Sequence, residues 1–352
     1  MFGVGGSPLP AGEGDRYGGR VRSFACGHCD ALVFFENTVC LRCSTQLRFD
    51  SGRLSLVTME DGAEWVDCAN RELAGCNWLA DSEGALCRSC RLTRTRPGNA
   101  DLTGIEEFVV AERAKRRVLV QLLELGLPGI NHGSLSFDLL SSAERPVTTG
   151  HANGVITIDL AESDDARREA RRAQLGEPYR TMLGHLRHEL GHYMQPLVVV
   201  DDEAWAACRA LFGDDRVGYR DALEHHYRDG PPVDWQDRYV SAYATMHPWE
   251  DWAETFAHYL HITDTLETAG EYGVVIEGPR AVNDRLAAVP PADLGDQDFA
   301  AILDGWLPLT YALNAINRSM GRDDLYPFAL APTVVQKLSF VHRRVLETAE
   351  AQ

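Results

Sequence analysis

From about residue 104 onward, apolar positions recur at three- and four-residue spacing. The run IEEFVVAERAKRRVLVQLLELG reads as one amphipathic helix that closes at Gly126. The same period predicts helices near 164–174, 178–194, 202–212, 217–228, 248–269, 296–318 and 332–349. Pro248 suits the first turn of its helix and Gly270 its end. Two stretches alternate instead: SLSFDLL and GVITIDL read as strands. In the second, Val155, Thr157 and Asp159 form a polar face and Ile156, Ile158 and Leu160 an apolar one. It is read as an exposed edge strand beside the cleft, able to add an extended peptide to the sheet. The alternative is a plain internal strand.

Before residue 104 the pattern is different. Short apolar runs such as ALVFFE and LRFDSGRLSLV lie between turns and suit small β-hairpins. Residues 1–20 hold seven glycines and little to bury, which predicts a disordered lead. Pro97 and Gly98, in RTRPGNADLTG, mark a boundary. The expected organisation is a lead over 1–20, a β-rich unit over 21–97 and a larger unit over 104–352. The fold class is α+β, the larger unit being mainly helical with a small sheet.

At 352 residues the chain is too long for one ordinary domain. Its 45% apolar and 24% charged content excludes global disorder and collagen-like repetition. No stretch approaches the roughly 18–20 consecutive apolar residues of a membrane helix. The first residues lack a basic start followed by an apolar core, so no signal peptide is visible. The expected location is the cytoplasm, without a membrane partner.

The net charge of −18 is uneven. Up to Pro97 there are 11 Lys+Arg against 12 Asp+Glu; the remainder has 23 against 40. The acidic part disfavours nucleic acid. Arg88, Arg91, Arg94 and Arg96 form a basic run, but their segment is neutral overall. Docking of protein or substrate is the favoured extra role for this unit.

Eight of the nine cysteines lie between Cys26 and Cys90. They fall into two clusters: Cys26, Cys29, Cys40 and Cys43, then Cys68, Cys76, Cys87 and Cys90. Both have ten residues before the final CxxC. Reduced structural thiols are the bland alternative, but paired spacing points to metal. Each cluster is read as a closed four-thiolate structural zinc site in a ribbon-like unit, which a small core needs as a staple. His28, inside the first knuckle, is read as solvent-facing, and Cys208 as a buried structural thiol.

The chemistry concentrates in YRTMLGHLRHELGHYM, which contains His188-Glu189-Leu190-Gly191-His192, an HExxH motif. Residues i and i+4 of a helix share a face, so both imidazoles can reach one zinc. Glu189 leans to the side and can take a proton from a water polarised by the metal. Met182, Leu183, Leu186 and Leu190 give the helix its apolar positions. His185, one turn earlier, is read as a supporting or core histidine rather than a fourth ligand. The best source of a third ligand is HPWEDWAETFAHYLHI, with Glu250 and Glu254 on one helical face and Ala253 and Ala257 small enough for close packing.

These residues carry a resemblance. HExxH followed by a helix with acids four apart resembles the gluzincin branch of zinc metallopeptidases. More closely, the twin cysteine clusters, CNWL, CRSCRLTRT, HELGHY and HPWEDWAETFAHYLHI resemble bacterial zinc-binding metallopeptidases with an amino-terminal zinc ribbon. The likeness runs over roughly residues 22–345 and implies a zincin-like fold and a metal site. It implies Glu250 as third zinc ligand and Glu254 as support for a zinc histidine, although many gluzincins have Asp at the second position. The helix dipole agrees, since Pro248 puts Glu250 in the first turn, where a carboxylate anion is favoured. Tyr239, Tyr243 and His247 are candidate donors to a developing oxyanion.

The expected function is a zinc-dependent metallopeptidase, with one catalytic and two structural zinc ions, that hydrolyses a peptide or isopeptide bond of a peptide or protein substrate. The alternatives are a zinc amidase on a non-protein amide, a metal-organised interaction protein with a vestigial site, and a nucleic-acid-binding ribbon protein.

Overall fold

The computed structural model describes residues 23–59, 65–130, 133–143, 146–163, 181–280 and 286–351. The expected lead over 1–20 and the helix expected near 164–174 lie outside them.

The cysteine-rich segment is built from short hairpins. β1 (Phe24–Ala25) pairs antiparallel with β2 (Leu32–Val33), and β3 (Leu47–Asp50) with β4 (Ser55–Thr58). β5 (Val66–Asp67) pairs with β6 (Leu79–Ala80) around the short helix α1 (Arg71–Ala74). Phe49 joins the two halves: its ring lies 4.9 Å from Phe35 and 5.2 Å from Trp78. Its backbone N–H donates to the Asn77 carbonyl.

β7 (Thr93–Thr95) leaves this segment and enters the sheet of the larger unit. α2 (Leu102–Glu124) follows, its first turn capped by Asp101, which accepts from the Gly104 N–H. Then come β8 (Ser136–Leu140), β9 (Gly150–Ala152) and β10 (Val155–Asp159). The strand order is β7-β8-β10-β9. β8 is parallel to β7 and β10, and β9 is antiparallel to β10. The strand expected at an edge is therefore internal: β10 is paired on both sides, and among the described residues β9 occupies the edge. The physical reason is the Asn153-Gly154 turn, where both residues have positive φ, 51° and 81°. That is the backbone of a tight hairpin turn, and it folds 150–152 back onto β10.

Among the described residues the remaining helices are α3 (Met182–Val198), α4 (Asp202–Phe212), α5 (Tyr219–Asp229), α6 (Pro248–Glu271), α7 (Phe299–Ser319) and α8 (Pro332–Glu350). A small hairpin, β11 (Ile276–Gly278) with β12 (Leu286–Ala288), precedes α7. Thr181 accepts from the Gly184 N–H, and this cap sets the start of α3. α7 is long and apolar enough, by length and composition, to cross a membrane. Its Ile302, Trp306 and Leu309 are buried in the core.

α3 packs along α6, and a polar clamp fixes both against α2. Buried Arg187 of α3 pairs with Asp264 of α6 and donates to Gln121 of α2, which itself donates to the Leu260 carbonyl. The cysteine-rich unit sits elsewhere. Arg116 of α2 donates to the carbonyls of Ala74 and Gly75, Arg117 pairs with Glu36, and Ser23 donates to Glu271. Glu271 ends α6, about 30 Å along the helix from Glu250.

Candidate metal centre

His188 and His192 leave α3 on one face, their ring centroids 4.9 Å apart. The N-terminus of α6 brings Glu250 against them. Its Oε2 lies 3.0 Å from His188 Nε2 and 3.3 Å from His192 Nε2. This approach requires small residues at the crossing. A Cβ added to Gly191 would lie 2.9 Å from the Ala253 Cα. Trp252 Nε1 donates to the Gly191 carbonyl at 2.9 Å and pins the two helices there.

The donor set suits zinc. One ligand atom from each of His188, His192 and Glu250 lies within 4.8 Å of the others. Glu250 Oε2 is buried and has no hydrogen-bond partner. An uncompensated carboxylate oxygen facing two imidazole nitrogens is costly without a cation between them. Two histidines and one carboxylate form a familiar catalytic zinc set.

The surrounding groups fix these side chains. His188 Nδ1 donates to Glu254 Oε1 at 2.6 Å, and Glu254 Oε2 accepts from Ser241 Oγ at 2.6 Å. That bond holds the tautomer in which Nε2 is the free electron pair. Burial would raise Glu254, but the His188 contact outweighs it and holds the acid at about 2. Burial likewise opposes ionisation of Glu250, while His192 and His188 hold it well below the usual carboxylate range. Tyr219 donates to Glu250 Oε1 at 2.8 Å. Trp249 lies against His192, with ring centroids 3.9 Å apart. Glu189 is buried, and its Oε2 has no hydrogen-bond partner.

The cysteine clusters fit their metal equally well. Four sulfurs about 2.3 Å from one ion would stand about 3.8 Å apart. Cys26 and Cys43 are 3.7 Å apart, Cys29 and Cys40 3.6 Å, and Cys76 and Cys87 3.6 Å. All eight thiols are free of disulfides. The second cluster is wholly buried, whereas Cys29 and Cys43 of the first are half-buried. His28 is exposed. Cys208 is buried outside both clusters, and burial pushes it up to about 12.

Residues 104–344 match the family described as "Putative zinc-binding metallo-peptidase", and residues 23–101 match a zinc-ribbon domain. The chain belongs to this metallopeptidase family. An uncharacterized protein of Mycobacterium bovis and one of Mycobacterium tuberculosis are each 50% identical to it over 338 residues, covering 94% of this chain and 96% of theirs. No solved structure matches it significantly.

Within this chain the three candidate oxyanion donors separate. The Tyr243 ring lies 5.9 Å from that of His188, beside the metal centre. Tyr239 packs on Lys337, whose ammonium is 4.3 Å from its ring, and is not brought to the metal ligands. His247 caps α6: Nδ1 accepts from the Trp249 N–H at 3.0 Å and Nε2 donates to the Val217 carbonyl at 3.1 Å. With both ring nitrogens engaged, it has no hydrogen left for a substrate.

Three contributors escape a reading of the sequence: Tyr219, Ser241 and Glu162. Tyr219 begins a helix that the period predicts, but nothing local ties it to Glu250, and Ser241 lies in a loop. Glu162 lies in the turn that follows β10, and its placement depends on how the sheet meets α3. His185 Nδ1 donates to Glu162, and its Nε2 lies 3.4 Å from Glu189 Oε1. Burial would lower His185, but Glu162 raises it to about 9.

Proposed function

We propose that this chain hydrolyses a peptide or isopeptide bond by attack of water, with His188, His192 and Glu250 holding zinc and Glu189 as general base. One observation carries the reading. The unpartnered Oε2 of Glu250 faces the two imidazole Nε2 atoms, and the buried Glu189 follows His188 on the same helix. When bound, zinc would supply Lewis acidity, polarising the scissile carbonyl and making water acidic near neutral pH.

The chain's own groups do the rest. Glu189 Oε2 receives the proton of the attacking water and later hands it to the departing amine. Glu254 keeps His188 in its metal-binding tautomer. The Tyr243 hydroxyl is the candidate donor to the oxygen on which charge develops. The two four-cysteine sites are coordinatively closed, so each zinc there folds the chain and takes no part in hydrolysis. The substrate is a peptide or protein in the cytoplasm, not nucleic acid or membrane.

The test compares wild type with Glu189→Gln in a search for new protein termini, followed by a peptide library. Wild type should generate termini that the variant does not, at equal zinc content. Equal cleavage by both proteins would refute the assignment.

A further inference from the structure

Glu189 does not stand alone. His185 lies one turn before it on α3, the i, i+4 spacing that puts two side chains in contact. The His185 ring bridges two carboxylates from different elements: Nδ1 donates to Glu162 Oε2, and Nε2 is 3.4 Å from Glu189 Oε1. Glu162 belongs to the turn that ends β10, so the bridge ties the sheet to the metal-binding helix. Its other oxygen is held as well, since Thr149 Oγ1 donates to Glu162 Oε1 at 3.3 Å. Thr149 in turn accepts from the Asp159 N–H at 3.0 Å. Glu162 and Glu189 are each about 4% exposed. At the end of this buried row, Glu189 Oε2 has no partner.

We infer that His185 and Glu162 are positioning residues for Glu189: the ring, oriented by Glu162, grips Oε1 and leaves Oε2 as the one oxygen able to receive a proton. The inference rests on Glu189 being the general base. A carboxylate at the end of three rotatable bonds has rotamer freedom that a base in a buried site must give up. The metal does not hold Glu189, so something else must. Within hydrogen-bonding range only the His185 ring reaches Oε1 from its own helix, and Glu162 supplies the second anchor that stops that ring from turning. The chemistry explains a histidine here. Of the protonation states of an imidazole, only the one with a proton on each nitrogen donates to two carboxylates on opposite sides.

The experiment uses the zinc-loaded full chain labelled with 15N-histidine. Long-range 1H–15N spectra at neutral pH should show both ring nitrogens of His185 protonated, with Nε2 shifting in Glu189→Gln and Nδ1 in Glu162→Gln. On a peptide that the wild type cleaves, Glu162→Gln and His185→Phe should lower kcat by about tenfold or more, with KM and zinc content little changed. His185→Gln can still donate to Glu189 and should recover part of that loss. An unprotonated Nε2 in wild type, or unaltered kcat in Glu162→Gln, would overturn the proposal; the latter variant keeps the test open if His185→Phe does not fold. If Glu189→Gln itself cleaves normally, the base assignment fails first, and the spectra show separately whether the bridge exists.

Discussion

Gly191 meets Ala253 with no room for a side chain: a Cβ on Gly191 would sit 2.9 Å from the Ala253 Cα and 3.0 Å from its carbonyl oxygen. The obstacle is backbone, which cannot turn aside. Gly191→Ala would gain about 1 kcal/mol of helix propensity. Overpacking against a fixed helix costs about 1–3 kcal/mol. The second effect should win, and it acts where the two ligand-bearing helices cross. We expect a lower melting temperature and weaker binding of zinc at the helical site, read by calorimetry and zinc titration. A variant as stable as wild type would show that the helices can separate without cost.

The two acids of α6 should respond differently. Glu250→Ala removes a ligand and should abolish zinc binding at this site, leaving two zinc ions per chain by elemental analysis. Glu254→Ala leaves the ligands but frees the His188 ring, and should weaken binding by about ten- to a hundredfold. Ser241→Ala, one bond further out, should have the smallest effect of the three. The order is the prediction, and a reversal of the first two would reassign the third ligand.

Chelation should strip the three sites in sequence. The helical site has an open coordination position and should empty first. The first cysteine cluster, with two half-buried thiols, should follow. The fully buried second cluster should empty last, together with unfolding, because binding there is coupled to folding. Native mass spectrometry during slow chelation reads the order directly.

His258 sets a limit on acid stability. Burial lowers it to about 4 although Glu254 pulls the other way, and the ring bonds to the Tyr326 hydroxyl at 2.8 Å. In the unfolded chain a histidine titrates near 6.5. Between these values the unfolded state binds the extra proton, so this contribution is complete above about pH 6.5 and declines as pH falls towards 4. The stability difference between wild type and His258→Gln should therefore shrink by about 1.4 kcal/mol per pH unit over that window. Denaturant unfolding at pH 7.5 and pH 5 measures it, and a constant difference would contradict the assigned state.

What the sequence made legible follows from the range of each interaction. α3 and α6 are periodic, Pro248 marks the start of α6, and the two helices hold Glu189 and the prospective ligands at fixed helical spacing. The cysteine spacing is equally local. The edge strand was misplaced because alternation identifies a strand but not its neighbours; the Asn153-Gly154 turn held that information. Tyr219 reaches Glu250 across 31 positions, and Ser241 reaches Glu254 from a loop. Such contacts are decided by how the elements pack, and nothing in the local pattern announces them.

β7 has a practical consequence. It comes from the cysteine-rich segment yet covers the outer side of β8, at the opposite margin of the sheet from β9. Cutting the chain at residue 104 would leave the backbone groups of β8 bare, an invitation to pair with another molecule. The amino-terminal unit is thus a seam sealed from within, and a shortened protein that keeps its metal ligands should still clump unless it also keeps residues 93–95.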